Sequence, residues 1–304
     1  LEILKEDQGY TVFFGPDISE GDQKEREYTE VILQNRLRKA VNEINGGIPD
    51  EARDEAVKKV LRTFSVGLME NNESFHRMLT EGIDVKFSVG DGKARTDKVW
   101  LIDFANPENN EFLAVNQFTV IENQNNKRPD IVLFINGIPL VVIELKNPID
   151  DNADVKAAFN QFQTYKQLIP SLFNYNSFLI ASDGWFAKVG TITSDYSRFM
   201  EWKTADGETI VDAKIEPELE PMIKGLLNKR TLLDVIRHFV VFEESKEKTL
   251  KKVAAYHQYY AVNKAIESTV RAIADTSSMV KEDPAQYGFP SVRDQAPGDK
   301  RAGV

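Results

Sequence analysis

The stretch RPDIVLFINGIPLVVIELKNP, Arg128 to Pro148, limits what this chain can fold into more than any other segment. Two Val- and Ile-rich runs flank Asn136-Gly137, the dipeptide that most strongly signals a tight β-hairpin. Strands apolar on both faces belong in the middle of a covered sheet. Yet Asp130 opens the first run, and Glu144 and Lys146 interrupt the end of the second. Buried carboxylates and amines are rare unless paired or bound to a metal. In an extended strand residues two apart share a face, so Glu144 and Lys146 point the same way.

Hydrophobic pattern does not fix the register of two such strands. With Asn136-Gly137 as the whole loop, Ile135 faces Ile138 and Asp130 falls opposite Ile143, with Glu144 and Lys146 on the other face. One extra residue, in an odd loop Asn136-Gly137-Ile138 or a bulge, sets Asp130 opposite Glu144. An odd loop or bulge is therefore expected, with Asp130, Glu144 and Lys146 converging on one cleft. Two carboxylates from neighbouring strands suit Mg²⁺, a hard ion that keeps several waters, and the Leu145 carbonyl is a further possible ligand. An ammonium beside the ion completes the parts for metal-assisted phosphodiester hydrolysis. The plainer reading is a turn residue after Pro129 and an edge ion pair between Glu144 and Lys146.

The 304 residues allow one large domain or two ordinary ones, and 41% hydrophobic residues suffice for a core. The absence of cysteine excludes disulfides and thiolate metal sites and fits a reducing, cytoplasmic compartment. No membrane span or signal peptide is expected. The net charge of −10 argues against general nucleic-acid binding, although a local basic groove remains compatible with it. The chain opens on Leu1 and closes on DQAPGDKRAGV, which suggests a piece of a longer protein or a chain with disordered ends trimmed.

Along the chain, YTVFFG predicts a first strand. Glu25–Gly46, Ile48–Ser65 and Ser74–Ile83 read as helices. KVWLIDF, EFLAVNQFTVIE and the hairpin read as strands, residues 153–169 as a helix, and SFLIASD and FAKVGTIT as strands about Asp183-Gly184. The last third turns helical, and the charged stretch Glu243–Thr249 reads as a linker. Helices, then a sheet, then helices indicate an α/β or α+β sandwich.

Pro129-Asp130 followed by Glu144-Leu145-Lys146 resembles the PD-(D/E)xK nuclease motif. With FLAVNQFTV, AAFNQFQTYK and YHQYYAVNKAIE in order, most of the chain resembles the N-terminal part of the R subunit of type I restriction-modification enzymes. The resemblance implies an α/β fold, a restriction-endonuclease-like mixed sheet flanked by helices and followed by a helical segment. It implies a nuclease domain over residues 1–245, then a linker and the start of a helicase-like motor over 246–304. Asp130 and Glu144 then match the metal-binding acids and Lys146 the catalytic lysine. Gln161 and Tyr165 match a QxxxY motif, four residues apart on one helical face; helix packing with a solvated Gln161 is the alternative. Glu30 is a candidate extra acid from the first helix, or an N-terminal-turn residue favoured by the helix dipole. Gln258 matches the adenine-reading amide of such motors, although no GxxxxGK[ST] phosphate loop is present.

The implied cofactors are Mg²⁺, and ATP for the full-length subunit only. The implied partners are duplex DNA and the methyltransferase and specificity subunits. The rival readings are a non-catalytic nuclease-fold module that docks partner subunits, and an autonomous structure-specific nuclease, which should be smaller and more basic.

Overall fold

A computed structural model describes residues 1–62, 65, 67–88, 94–147, 154–244 and 248–280, with side chains described as far as residue 273. The chain begins with α1 (Glu2–Glu6), β1 (Thr11–Phe14), α2 (Gly15–Ser19), α3 (Gln34–Ile44), α4 (Asp50–Leu61) and α5 (Leu68–Glu81). A hairpin, β2 (Ile83–Ser88) and β3 (Ala94–Val99), leads to β4 (Phe112–Asn116) and a small hairpin, β5 (Val120–Glu122) and β6 (Asn125–Lys127). Then come β7 (Ile131–Ile135), β8 (Ile138–Leu145), α6 (Val155–Leu168), α7 (Pro170–Phe173), β9 (Phe178–Ser182), β10 (Ala187–Gly190) and β11 (Met200–Glu201). The remainder is α8 (Leu219–Leu226), α9 (Lys229–His238), β12 (Val240–Glu244), β13 (Thr249–Val253) and α10 (Tyr256–Val280). Among the described residues no helix is long and apolar enough to cross a membrane.

The centre is a seven-stranded sheet in the order β1-β4-β7-β8-β9-β10-β11. It is mixed: β1 runs parallel to β4 and β8 to β9, while the other neighbours are antiparallel. Every residue of β7, and all of β8 except half-buried Leu145, is buried, as expected of strands covered on both faces. The mixed α/β architecture with flanking helices matches the sequence expectation.

Several boundaries differ from it. The helix expected from Glu25 starts only at Gln34, because buried Arg26 organises the preceding segment differently. Its guanidinium donates to the carbonyls of Glu30, Tyr28 and Thr119 and lies 3.9 Å from the centre of the Phe118 ring. The strand expected at Lys98–Phe104 starts earlier and stops at Val99, and the third helix starts at Leu68. EFLAVNQFTVIE breaks into β4 and β5 at Gln117, whose φ is +56°. The stretch read as a linker carries the ends of two paired strands, with Glu244 opposite Thr249; residues 245–247, the end of the second expected helix at residues 63–64, and the tail after residue 280 lie outside the described residues.

Two buried features tie the last elements to the sheet. Lys251 on β13 is 1% exposed, and its Nζ donates to Asn72 Oδ1 (2.8 Å) and the Asn176 carbonyl (2.6 Å). Trp202, fully buried, packs against Tyr256, Tyr259 and Tyr260 at the start of α10.

Candidate functional site

The hairpin of β7 and β8 reconciles a tight turn with a shifted register. Ile135 pairs with Ile138, so Asn136-Gly137 is the entire loop, with φ of +53° and +79°. The odd loop that would include Ile138 is therefore not formed. The extra residue sits inside the strand: Phe134 pairs with Pro139, but Leu133 pairs with Val141, leaving Leu140 as a bulge. Proline, which has no N–H for the ladder, is tolerated beside such an irregularity. The Leu140 carbonyl turns to the other neighbour and accepts from Ser177 N (2.7 Å) and Asn176 Nδ2 (3.2 Å). Beyond the bulge Ile131 pairs with Ile143, which brings Asp130 beside Glu144.

Gly137 is required where it stands. A Cβ there would lie 2.5 Å from the Leu33 carbonyl oxygen, and the Gly137 carbonyl accepts from Leu33 N at 2.9 Å. Asn136 is buried, and its amide bonds Leu101 O, Asn110 Oδ1 and the N–H of Glu111. The turn is thus clamped between the start of α3 and the approach to β4.

At the other end of the strands the charged side chains meet. Glu144 is 3% exposed; Lys146 Nζ donates to its Oε1 at 2.9 Å and the Tyr165 hydroxyl to its Oε2 at 3.2 Å. Asp130 Oδ2 accepts the N–H of Leu145 at 2.8 Å. Burial above all pushes the Glu144 carboxyl up to about 7; the Asp130 charge adds to this, while Lys146 and Tyr165 oppose it. The Tyr165 hydroxyl is raised by burial and then by the two acids, so it stays a donor, while a side-chain hydrogen bond with Gln161 acts the other way. Asp130, Glu144, Lys146, Tyr165 and Gln161 therefore gather where α6 covers the ends of β7 and β8.

Two sequence candidates lie apart from this group. Glu30 precedes α3 in a turn, where Oε2 accepts from Glu27 N (2.8 Å) and Oε1 from Gln34 Nε2 (2.9 Å). Neither bond leads to Asp130 or Glu144. Gln258 stands in the first turn of α10 and accepts the Ala255 N–H at 2.9 Å, the return bond of a capping box.

One residue was missed by the sequence reading. Gln117 Nε2 reaches Asp130 Oδ1 at 3.4 Å, and Gln117 N donates to the Asp130 carbonyl at 2.7 Å. A left-handed backbone at a glutamine leaves no mark in the sequence. Gly15 is the partial signal, since a Cβ there would lie 2.3 Å from the Gln117 carbonyl oxygen.

The donor set fits a hard divalent ion better than a transition metal. It offers two carboxylates and no imidazole or thiolate, and among the described residues no group of three or more His, Cys, Asp or Glu gathers for a metal. Two acids forced together, one of them buried, gain from a cation between them.

Fold and site define a mixed α/β domain carrying an acid–lysine cluster at one end of its sheet. Residues 1–198 match the family described as Type I restriction enzyme R protein N terminus, and the chain belongs to that family. It is 41% identical over 273 residues to the Type I restriction enzyme HindI endonuclease subunit of Haemophilus influenzae, covering 88% of this chain and 26% of that protein. A putative type I restriction enzyme MjaIXP endonuclease subunit of Methanocaldococcus jannaschii is 32% identical over 283 residues, covering 87% and 26%. The EcoprrI endonuclease subunit of Escherichia coli is 30% identical over 163 residues, covering 50% and 48%. The chain thus spans about a quarter of the length of the first two relatives.

Proposed function

We propose that this chain is the DNA-cleaving domain of a type I restriction enzyme R subunit, with a PD-(D/E)xK, restriction-endonuclease-like fold. The observation that carries the reading is the convergence of Asp130, Glu144 and Lys146 on one face by way of the Leu140 bulge. Asp130 and Glu144 would hold Mg²⁺. The bound ion would supply charge for a phosphodiester oxygen and an acidified water. Lys146 holds its ammonium against Glu144 and, facing a phosphate, offsets the charge that grows on the non-bridging oxygens as water attacks and the 3′ oxygen leaves. Tyr165, itself hydrogen-bonded to Gln161, fixes the second oxygen of Glu144.

The substrate of this reading is unmodified duplex DNA, cut after ATP-driven translocation by a motor in the full-length subunit, with methyltransferase and specificity subunits as partners. Glu30 and Gln258 keep their candidate roles, as an extra acid and as an adenine-reading amide. The test is Mg²⁺ titration of DNA cleavage by the assembled enzyme, wild type against Glu144→Ala. Loss of cleavage with assembly and ATP hydrolysis intact is expected. Undiminished cleavage would overturn the reading, and loss of assembly would assign the domain to docking.

A further inference from the structure

The segment that leads into Asp130 carries six consecutive amide or cationic side chains, Asn123, Gln124, Asn125, Asn126, Lys127 and Arg128. In a chain of net charge −10 this run contains neither an acid nor an apolar residue. It forms the turn and outgoing strand of the hairpin β5–β6, with Glu122 paired to Asn125. Both turn residues take left-handed backbone, Asn123 at φ +47° and Gln124 at φ +69°. Asn tolerates that region, but a glutamine there is strained, and such strain gathers at functional sites.

The base of the hairpin is fixed and its tip is open. Val120 is fully buried, Ile121 N donates to the Tyr28 carbonyl at 2.9 Å, and Glu122 Oε2 accepts from both the N–H (3.1 Å) and the hydroxyl (2.7 Å) of Ser171. The one acid on the hairpin is thereby committed to the start of α7. Asn123, Gln124, Asn126 and Arg128 are exposed. Among the described residues, the only side-chain bond in the run is Asn125 Nδ2 to the Asn123 carbonyl at 3.5 Å, and neither Lys127 nor Arg128 forms an ion pair. The Tyr165 hydroxyl, whose one proton goes to Glu144 Oε2 at 3.2 Å, also lies 3.4 Å from the Arg128 carbonyl oxygen. One hydroxyl therefore links the hairpin to the acid cluster.

We infer that the β5–β6 hairpin is the element that holds duplex DNA against the acids, a step that rests on the nuclease reading above. Two carboxylates repel a phosphate backbone, so an acidic chain needs uncommitted cations close by to bring one in. Lys127 and Arg128 supply them three and two residues before Asp130, and take phosphates. A narrow two-stranded ribbon fits a DNA groove, and side-chain amides at its tip both donate to and accept from base edges.

The test uses a short fluorescent duplex with Ca²⁺ in place of Mg²⁺, and measures binding to this chain across a salt series. Lys127→Ala/Arg128→Ala should weaken binding about ten-fold and lower the salt slope by about two. Asn123→Ala/Gln124→Ala/Asn126→Ala should weaken it with little change in slope. A photo-crosslinker at Gln124 in the assembled enzyme should attach to DNA. Wild-type affinity and slope in both variants, or crosslinks to a protein subunit instead of DNA, would overturn the inference. Asp130→Ala separates the two claims. If it still cuts, the nuclease reading fails; if it cannot cut while the hairpin variants bind and cut normally, only the hairpin assignment fails.

Discussion

The N–H of Leu145 donates to Asp130 Oδ2 at 2.8 Å, so the strand that presents Glu144 and Lys146 also holds the other acid in place. This contact belongs to the register that sets Asp130 beside Glu144. It ties backbone pairing to the relative position of the two carboxylates.

Removing any of the three charged groups should separate cutting from assembly. Asp130→Ala, Glu144→Ala and Lys146→Ala are expected to lower DNA cleavage by the assembled enzyme at least ~100-fold. ATP hydrolysis and subunit binding should stay near wild type. Parallel loss of ATPase and assembly would assign these residues a structural role.

The buried carboxyl of Glu144 makes stability without metal depend on pH. Its folded value of about 7 lies above the ordinary 4.5, so between these values the folded state binds more protons than the unfolded one. Stability should therefore fall as pH rises from about 4.5 to about 7 and stay low above, by on the order of 3 kcal/mol at most. Glu144→Gln should raise the urea midpoint at pH 8 and have little effect near pH 4.5. Mg²⁺ should raise the melting temperature of wild type at pH 8 more than at pH 5.5, and leave the Gln variant unmoved. A flat wild-type profile would contradict this account.

Gln117 offers a way to separate a backbone role from a side-chain role. Gly suits φ +56° better than Gln, so Gln117→Gly should leave the melting temperature unchanged or raise it. It also removes the amide that reaches Asp130, so the Mg²⁺ concentration for half-maximal cleavage should rise several-fold. Unchanged Mg²⁺ dependence would reduce Gln117 to a turn residue.

Tyr165→Phe deletes the hydroxyl between Glu144 and the Arg128 carbonyl. A hydrogen bond to a charged group contributes about 1.5–3 kcal/mol, so cleavage should fall roughly ten- to a hundred-fold with the fold retained. Wild-type cleavage rates in single-turnover assays would count against a role for this bond.

Gly137→Ala tests the fold alone. The added methyl meets the Leu33 carbonyl at 2.5 Å in a backbone that disfavours side chains. A loss of about 2 kcal/mol or more in urea unfolding is expected.

The sequence made the central hairpin legible because its signals are local: two apolar runs, a turn dipeptide and three misplaced charges. It also required an extra residue between Asp130 and Glu144. The place of that residue was legible in principle, since Pro139 is the one β8 position that lacks an N–H for the ladder, yet the loop was the more obvious site. The helix expected across Glu30 shows the opposite case. Its apolar spacing continues upstream of Gln34, but Arg26 captures carbonyls from Glu30, Tyr28 and distant Thr119, and that capture belongs to tertiary structure. Gln117 escaped for the same reason, because its backbone is set by packing against Gly15.

The Leu140 bulge also determines which kinds of genetic change these strands tolerate. Exchanging Val for Ile along β7 or β8 alters packing by a methyl group and leaves the chemistry in place. Losing the single codon for Leu140 would keep the turn, the apolar content and the reading frame, yet it would restore the regular ladder. Asp130 would nevertheless stay opposite Glu144, because Leu140 is the residue that the pairing skips; what would go is the Leu140 carbonyl that accepts from Ser177 and Asn176. Residue count and bulge therefore have to change together: a residue gained without a second bulge, or the bulge lost with Leu140 retained, would carry Glu144 and Lys146 to the opposite layer, so the pairing of the two is itself a heritable part of the site.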